Sequence, residues 1–219
     1  MKTFYVVRHG ETQYNVRQLV QGWCDSPLTE KGVHQACAVG QRLRDVPFAA
    51  ARSGDLGRQQ ETANIILSKN CSETVPELHT DRRLRENYFG SFEGTEEADL
   101  IAVMGKRLNA DFPAFIDLIR YLSFDLARLT DLVAESDPSG EAETAVACGK
   151  RFREGLLAAA SSVPDGSNVL VVTSGDVMSK LVSDLSVDHR PHLVKNGEIL
   201  VLNVEQNHLE IKEFISDSR

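Results

Sequence analysis

Apolar runs and periodically spaced apolar positions alternate along the chain and predict strands that take turns with helices. Residues 4–7 form a short run of β-forming residues, and residues 168–173 contain four consecutive apolar positions. A strand without polar alternation is expected where both faces of a sheet are covered. Further strand candidates are residues 46–51, 198–204 and 208–214, the last two joined by a predicted turn at 205–207.

Three segments show the apolar spacing of helices: residues 29–44, 56–69 and 177–185. In the first of them, Ala36, Val39 and Leu43 lie on one side, and Thr29 is a candidate N-cap residue. Because strands alternate with helices, the sequence predicts an α/β fold. We expect three α/β/α layers around a mostly parallel central sheet.

One segment departs from this alternation. Residues 96–134 have continuous helical spacing, with apolar residues from Phe115 to Val133 and Pro113 where a first helical turn tolerates proline. We therefore predict one domain over residues 1–219 that carries a helical insertion at about 96–139. Its apolar stripe is expected to pack on the sheet domain, and the insertion is also a candidate substrate lid.

Composition excludes several classes of protein. The 219 residues are 42% hydrophobic and 26% charged, as in folded globular proteins, and the net charge of −8 disfavours a general nucleic-acid binder. No apolar run reaches 18 residues, so a membrane span is not expected. The start of the chain does not fit a secretory signal, and the four cysteines form no CxxC pair. These features predict a cytoplasmic protein with free thiols.

A compact group of reactive residues directly follows the first predicted strand: Arg8, His9, Gly10, Glu11 and Thr12. Ligands of open α/β sheets bind at the carboxyl ends of strands. Arginine presents a planar fork of donors that matches phosphate oxygens, and histidine can attack a phosphoryl group through one ring nitrogen while an acceptor holds the other. Glycine allows close approach of the backbone.

The order of the following motifs resembles the histidine phosphatase superfamily, also called the phosphoglycerate mutase-like family. The resemblance runs nearly end to end through four blocks: Arg8-His9-Gly10-Glu11-Thr12 with Asn15; Gln21-Gly22-Trp23 and Asp25-Ser26-Pro27-Leu28-Thr29, then Gly32 and Gln35-Ala36; Ser53, Asp55-Leu56, Arg58, Thr62 and Ala63; and Leu84-Arg85-Glu86 with Phe89-Gly90 and Glu93-Gly94.

This resemblance implies a role for each matching residue. His9 would be the nucleophile that forms a phosphohistidine, Arg8 and Arg58 would bracket the phosphate, and Asn15 would donate a further hydrogen bond. Glu86 would be the general acid, a role that suits a carboxyl group whose pKa is raised by burial or by neighbouring negative charge. The resemblance implies no metal or other cofactor. The expected ligands are a phosphorylated small molecule and inorganic phosphate.

The sequence departs from the family at one position. A second histidine normally follows the last central strand in a pattern resembling V-V-S-H-G-G, where this chain has Ser174 followed by Gly175 and Asp176. A serine hydroxyl is a shorter and weaker donor to phosphate, so we expect a rate loss on the order of 10²–10³. Asp176 would add negative charge near the pocket. His189 and His192 are candidate substitutes for the missing histidine, although a solvated loop is the simpler interpretation.

Three functions remain open at this point. The first is a phosphomonoesterase, at full or reduced activity, which the retained Arg8, His9, Arg58 and Glu86 favour. The second is a non-catalytic phosphoryl-binding or regulatory protein, which Ser174 favours. The third is phosphoglycerate mutase, although the acid loop from Arg85 to Gly90 differs from the N-E-R-x-Y-G pattern that resembles the mutases.

Overall fold

The computed structural model describes residues 1–186 and 192–216. Its strands form one mixed, mostly parallel sheet in the order β3-β2-β4-β1-β5-β6, in which β5 pairs in antiparallel orientation with both β1 and β6. The α/β fold predicted from the sequence is confirmed. The strands are β1 (Lys2–Arg8), β2 (Phe48–Ser53), β3 (Leu78–Thr80), β4 (Asn168–Thr173), β5 (Ile199–Glu205) and β6 (His208–Ile215).

Helices cover both faces of the sheet. Successive residues of a strand point to opposite faces, and in β1 the side chain of Val6 joins one buried cluster while that of Val7 joins another. The Val6 cluster lies against α7 and α8, and the Val7 cluster lies against α2 and α3. The helices are α1 (Gln13–Arg17), α2 (Glu30–Arg42), α3 (Gly57–Ser68), α4 (Glu97–Leu108), α5 (Phe115–Tyr121), α6 (Leu126–Ser136), α7 (Ala145–Ser161) and α8 (Gly175–Leu185).

Most predicted elements are present, with shifted ends. Thr29 is the N-cap of α2, and its side chain accepts from the backbone N–H of Gly32. Helix α8 begins two residues before the predicted start, at Gly175. The sequence analysis missed α1, β3 and the 17-residue helix α7.

The prediction of one continuous helix over residues 96–134 is wrong. The segment contains three helices, because Asn109 ends α4 in the left-handed conformation (φ 51°), and Ser123 and Phe124 also have positive φ between α5 and α6. Pro113 precedes Ala114, the N-cap of α5, and so lies outside its first turn. The apolar residues of the three helices pack largely on one another and on Val20, Phe89 and Phe92, in a cluster of their own.

The sheet places two chain segments side by side. Arg8 of β1 is paired with Thr173 of β4 in parallel register, so the residues after both strands emerge at the same edge. The chain following β1 contains Thr12, which closes a capping box with Asn15 at the start of α1. Among the described residues, no helix is long and apolar enough to cross a membrane.

Candidate active site

His9 is held rigidly at the end of β1. Its backbone N–H donates to the carbonyl of Thr173 (3.0 Å), and its side chain is only 3% exposed. The ring Nδ1 lies 2.8 Å from the carbonyl oxygen of Gly10. Because a carbonyl oxygen only accepts, Nδ1 carries the proton and Nε2 presents its lone pair.

Arg58 lies directly against this lone pair. It occupies the first turn of α3, is 1% exposed, and its Nε donates to Nε2 of His9 at 3.1 Å. The rest of the guanidinium donates to the carbonyls of Gly22 and Cys24 and to Oδ1 of Asp25. Burial, followed by the charges of Arg58 and Arg8, holds the pKa of His9 well below its usual value, so the imidazole is neutral at physiological pH.

Arg8 combines one strong hydrogen bond with one unused donor. Its Nη1 donates to the carbonyl of Val194 at 2.6 Å, while its Nε is buried without a partner in residues 1–186 and 192–216. Burial lowers the pKa of Arg8, but an arginine side chain in a protein remains charged. The guanidinium packs on Gly175, where a Cβ atom would lie 2.8 Å from Cζ of Arg8.

Two amides stand beside Arg8 along a cleft of about 130 Å³. Oδ1 of Asn15 accepts from the backbone N–H of Thr12, which leaves the NH₂ group to act as a donor. Oε1 of Gln21 accepts from Oγ1 of Thr12 at 2.6 Å, and its Nε2 is buried with no partner in the part of the chain described. The sequence analysis did not select Gln21 as a site residue, although it lies in the second matching block.

Glu86 lies at the start of α8. Its two carboxylate oxygens accept from the backbone N–H groups of Asp176 (2.9 Å), Val177 (3.0 Å) and Asn87 (2.9 Å). The side chain is 5% exposed and lines the cleft with Arg8. Glu86 therefore supplies the acceptor that an N-cap side chain usually gives to a helix.

Ser174 is the N-cap residue of α8, but its hydroxyl does not cap the helix. It is fully buried, and its Oγ accepts from Nε2 of Gln59 at 2.9 Å. Ser174 directly follows Thr173, whose carbonyl binds the backbone of His9, so it lies at the same edge of the sheet as His9. Its hydroxyl is therefore already engaged by Gln59.

Neighbouring loops fix the backbone around these groups. The carboxylate of Glu93 accepts from the backbone N–H groups of Gly22, Trp23 and Cys24, which joins the second matching block to the fourth. Arg151 of α7 donates to the carbonyl of Glu86 at 2.9 Å. The bonds to Glu93 fix the loop whose Gly22 and Cys24 carbonyls accept from Arg58. The bond from Arg151 fixes the backbone of Glu86, the residue that caps α8.

The loop before β5 contributes through an asparagine. Nδ2 of Asn196 donates to the carbonyl of His9 at 3.0 Å, which secures the backbone at this position. Nε2 of His192 lies 3.0 Å from Oε2 of Glu198, and its ring stacks on Phe214. His192 therefore faces Glu198, and His189 lies outside the described residues.

Comparison with known families gives one clear match. The model for the "Histidine phosphatase superfamily (branch 1)" matches residues 4–116, which include Arg8, His9, Arg58 and Glu86. The matched range also holds Asn15 and Gln21.

Individual relatives extend the match over most of the chain. The "Probable phosphoglycerate mutase GpmB" of Erwinia tasmaniensis is 34% identical over 84% of this chain and 75% of its own length. The "Fructose-2,6-bisphosphatase TIGAR" of Xenopus tropicalis is 33% identical over 90% of this chain and 81% of its own. Among solved structures, a phosphoglycerate mutase from Bacillus anthracis str. Sterne superposes with a TM-score of 0.85 at 32% identity, covering 96% of this chain and 91% of its own.

Proposed function

Because the chain belongs to branch 1 of the histidine phosphatase superfamily, we propose that it hydrolyses phosphomonoesters through a phosphohistidine on Nε2 of His9. The observation that supports this most directly is the arrangement of the ring nitrogens. Nδ1 donates to Gly10, so the lone pair of Nε2 points toward Arg58 and away from the backbone. The lowered pKa of His9 keeps that lone pair available at physiological pH.

The phosphate is bound by donors that the protein leaves unused. Buried polar groups in folded proteins nearly always have partners, so the buried Arg8 Nε and Gln21 Nε2 are suited to an anion. Nε of Arg58 already lies 3.1 Å from the attacking nitrogen. As the substrate enters, this donor moves from His9 to a phosphate oxygen, which frees Nε2 for attack. The amide of Asn15 adds a further donor.

The reaction proceeds in two steps that return the site to its starting state. In the first, Nε2 bonds to phosphorus, the bond from phosphorus to the leaving oxygen breaks, and Glu86 protonates that oxygen. In the second, water attacks the phosphohistidine and gives a proton back to Glu86, which releases inorganic phosphate and the free ring. The guanidinium groups of Arg8 and Arg58 offset the charge of the phosphoryl group in both steps.

Ser174 makes this a slow member of its family. At the position where the resemblance implies a second histidine, the hydroxyl of Ser174 is bound to Gln59. The phosphoryl group therefore lacks one preorganised donor, which is worth on the order of 10²–10³ in kcat.

A trapping experiment tests the proposal. The protein is mixed with ³²P-labelled phenyl phosphate, quenched in alkali within milliseconds and separated by gel, since phosphohistidine is stable to alkali and labile to acid. We expect acid-labile label and release of phosphate, both lost in His9→Ala. Turnover that persists in His9→Ala, or protein that stays unlabelled and inactive on a broad panel of phosphomonoesters, contradicts the proposal; the latter result favours a non-catalytic phosphoryl-binding protein.

A mutase is the second candidate, because similar proteins from Erwinia tasmaniensis and Bacillus anthracis carry that name. A mutase would pass the phosphoryl group from His9 to a second hydroxyl rather than to water. Phosphorus NMR of a mixture with 3-phosphoglycerate separates the two functions. Formation of 2-phosphoglycerate supports the mutase, and its absence, together with turnover of phenyl phosphate, supports the phosphatase.

A further inference from the structure

The cleft beside Arg8 has a neighbour that the proposed reaction does not use. A second, smaller cavity of about 30 Å³ lies beneath the inserted helices, and both cavities are lined by Phe115 and Asp176. Its other walls include Ile119, Leu126 and Leu129, from α5 and α6. The two cavities therefore adjoin at Phe115 and Asp176.

The first cavity has an apolar wall beside its polar and charged groups. Leu19, Val20, Phe89 and Leu100 line the first cavity together with Phe115. This wall offers no charged or hydrogen-bonding side chain to a leaving group, so the polar selectivity of the cavity comes from its remaining residues.

The charges along the cleft restrict the leaving group further. Within the described residues, Arg8 is the one cation that lines the first cavity, which also contains the carboxylates of Glu86, Glu97 and Asp176. Glu86 is engaged by backbone N–H groups. Glu97 and Asp176 stand at the starts of α4 and α8, and neither forms an ion pair with any described residue.

The second cavity does not offset the excess of negative charge in the first cavity. Lys180 lines it, but the side chain is only 8% exposed, and Nζ donates to Oγ1 of Thr130 and Sγ of Cys148. Lys180 follows Asp176 by one helical turn, so its charge offsets the charge that Asp176 already provides.

The surroundings of the two carboxylates already oppose negative charge. Burial and the charge of Glu86 raise the pKa of Asp176 to about 6, and burial raises the pKa of Glu97. Asp176 lines the cleft, so its carboxylate faces whatever is bound there. A second anionic group on a ligand would meet these two side chains with no spare cation beside it.

We propose that the preferred substrates are phosphomonoesters whose leaving group carries no negative charge, and that Glu97 and Asp176 exclude anionic leaving groups. This inference rests on the proposed phosphatase function and adds the chemical class of the substrate. The two carboxylates act by repelling a ligand that brings a second negative charge into the cleft. Bisphosphates and phosphorylated carboxylic acids are therefore poor substrates.

Three matched substrates test the inference: the phosphate monoesters of phloretic acid, of its methylamide and of tyramine. They share a phenol leaving group of similar acidity and differ at the tail, which is anionic, neutral or cationic. We expect kcat/KM for the methylamide to exceed that for the free acid by about tenfold or more, since like charges in a partly enclosed site repel. The tyramine ester should be used at least as well as the methylamide.

Substitutions assign the selectivity to particular residues. Glu97→Gln and Asp176→Asn are each expected to reduce the ratio of methylamide to free acid by about threefold or more, chiefly by improving use of the free acid. Asp99→Asn is the matched control. Asp99 is exposed and lies on the same turn of α4 as Glu97, and its substitution changes the net charge by the same amount. It should leave the ratio unchanged.

The outcomes separate this inference from the function on which it rests. Equal use of the free acid and the methylamide, or a ratio that Asp99→Asn alters as much as Glu97→Gln does, overturns the inference while the phosphatase stands. Absence of phosphohistidine and of turnover on all three esters overturns both. Hydrolysis with the expected order, and loss of that order in the two cleft variants, supports both.

Discussion

Restoring a histidine at position 174 is the sharpest test of how this site works. Ser174 lies at the same edge of the sheet as His9, yet its buried hydroxyl serves Gln59. An imidazole at this position would add a donor to the phosphoryl group. We expect kcat on phenyl phosphate to rise by about 10²-fold in Ser174→His, which corresponds to about 2.7 kcal/mol of barrier.

The same substitution is expected to lower the stability of the fold while it raises kcat. Ser174 is fully buried, so a larger ring must displace Gln59, whose Nε2 also donates to the carbonyl of Leu84. Overpacking costs about 1–3 kcal/mol of stability, and one lost hydrogen bond costs about 1 kcal/mol. The variant should therefore be faster but less stable. The double variant with Gln59→Ala provides room for the ring and should recover part of the stability while keeping the gain.

The assay compares kcat for the parent, Ser174→His, Gln59→Ala and the double variant, with denaturant unfolding on each. Gln59→Ala alone is the control, because it removes the same hydrogen bond without adding a donor, and it should not raise kcat. If both histidine variants fold cooperatively and neither exceeds the parent, position 174 does not reach the phosphoryl group and the alignment of this block is wrong.

Three further predictions follow from single contacts. Glu86→Gln should lower kcat by about 10²-fold on an alkyl phosphate but far less on 4-nitrophenyl phosphate, whose leaving group needs no proton; equal losses on the two substrates would contradict the acid role. Asp137→Asn should lower the free energy of unfolding at pH 7 by about 2 kcal/mol. Burial raises the pKa of Asp137, but hydrogen bonds from Ser139 and Ser91 outweigh it and hold the pKa well below its usual value. The stabilisation is therefore present above the unfolded pKa, near 4, and is lost as pH falls through the folded pKa, so urea unfolding of the two proteins should converge in strong acid and not before. Gly10→Ala should lower the free energy of unfolding by about 1–3 kcal/mol and displace His9, because the new Cβ would collide with the carbonyl of Gly32. Gly149→Ala is the control, since a Cβ there meets open space. It should be neutral or slightly stabilising in the same thermal melts.

The sequence alone was sufficient for features that are encoded locally. Four consecutive apolar residues in β4 are buried on both faces of the sheet, as their pattern required. Thr29 could be predicted as an N-cap because its side-chain oxygen accepts from a backbone N–H only three residues later in the sequence. The family could also be recognised, since its motifs are short stretches of sequence. Their order along the chain can be read without knowing which residues are in contact.

Local patterns failed where the backbone reverses direction. The apolar spacing from Phe115 to Val133 is truly helical, but periodicity does not report a residue in the left-handed conformation, so the breaks at Asn109 and Ser123 were missed. Helix α7 was missed although Cys148, Phe152 and Leu156 recur at helical spacing on its buried face.

The chemistry of the site was decided by tertiary structure. The proton on Nδ1 of His9 is fixed by the position of one carbonyl, and the partner of Nε2 comes from α3, 49 residues away in sequence. Glu86 binds the first turn of α8, 91 residues beyond it, and so fills the capping role that Ser174 leaves open. The amino-acid sequence determines which side chains are present. Hydrogen bonds between distant segments decide which of their atoms are free to react, because a donor or acceptor already engaged by the protein is not offered to a ligand.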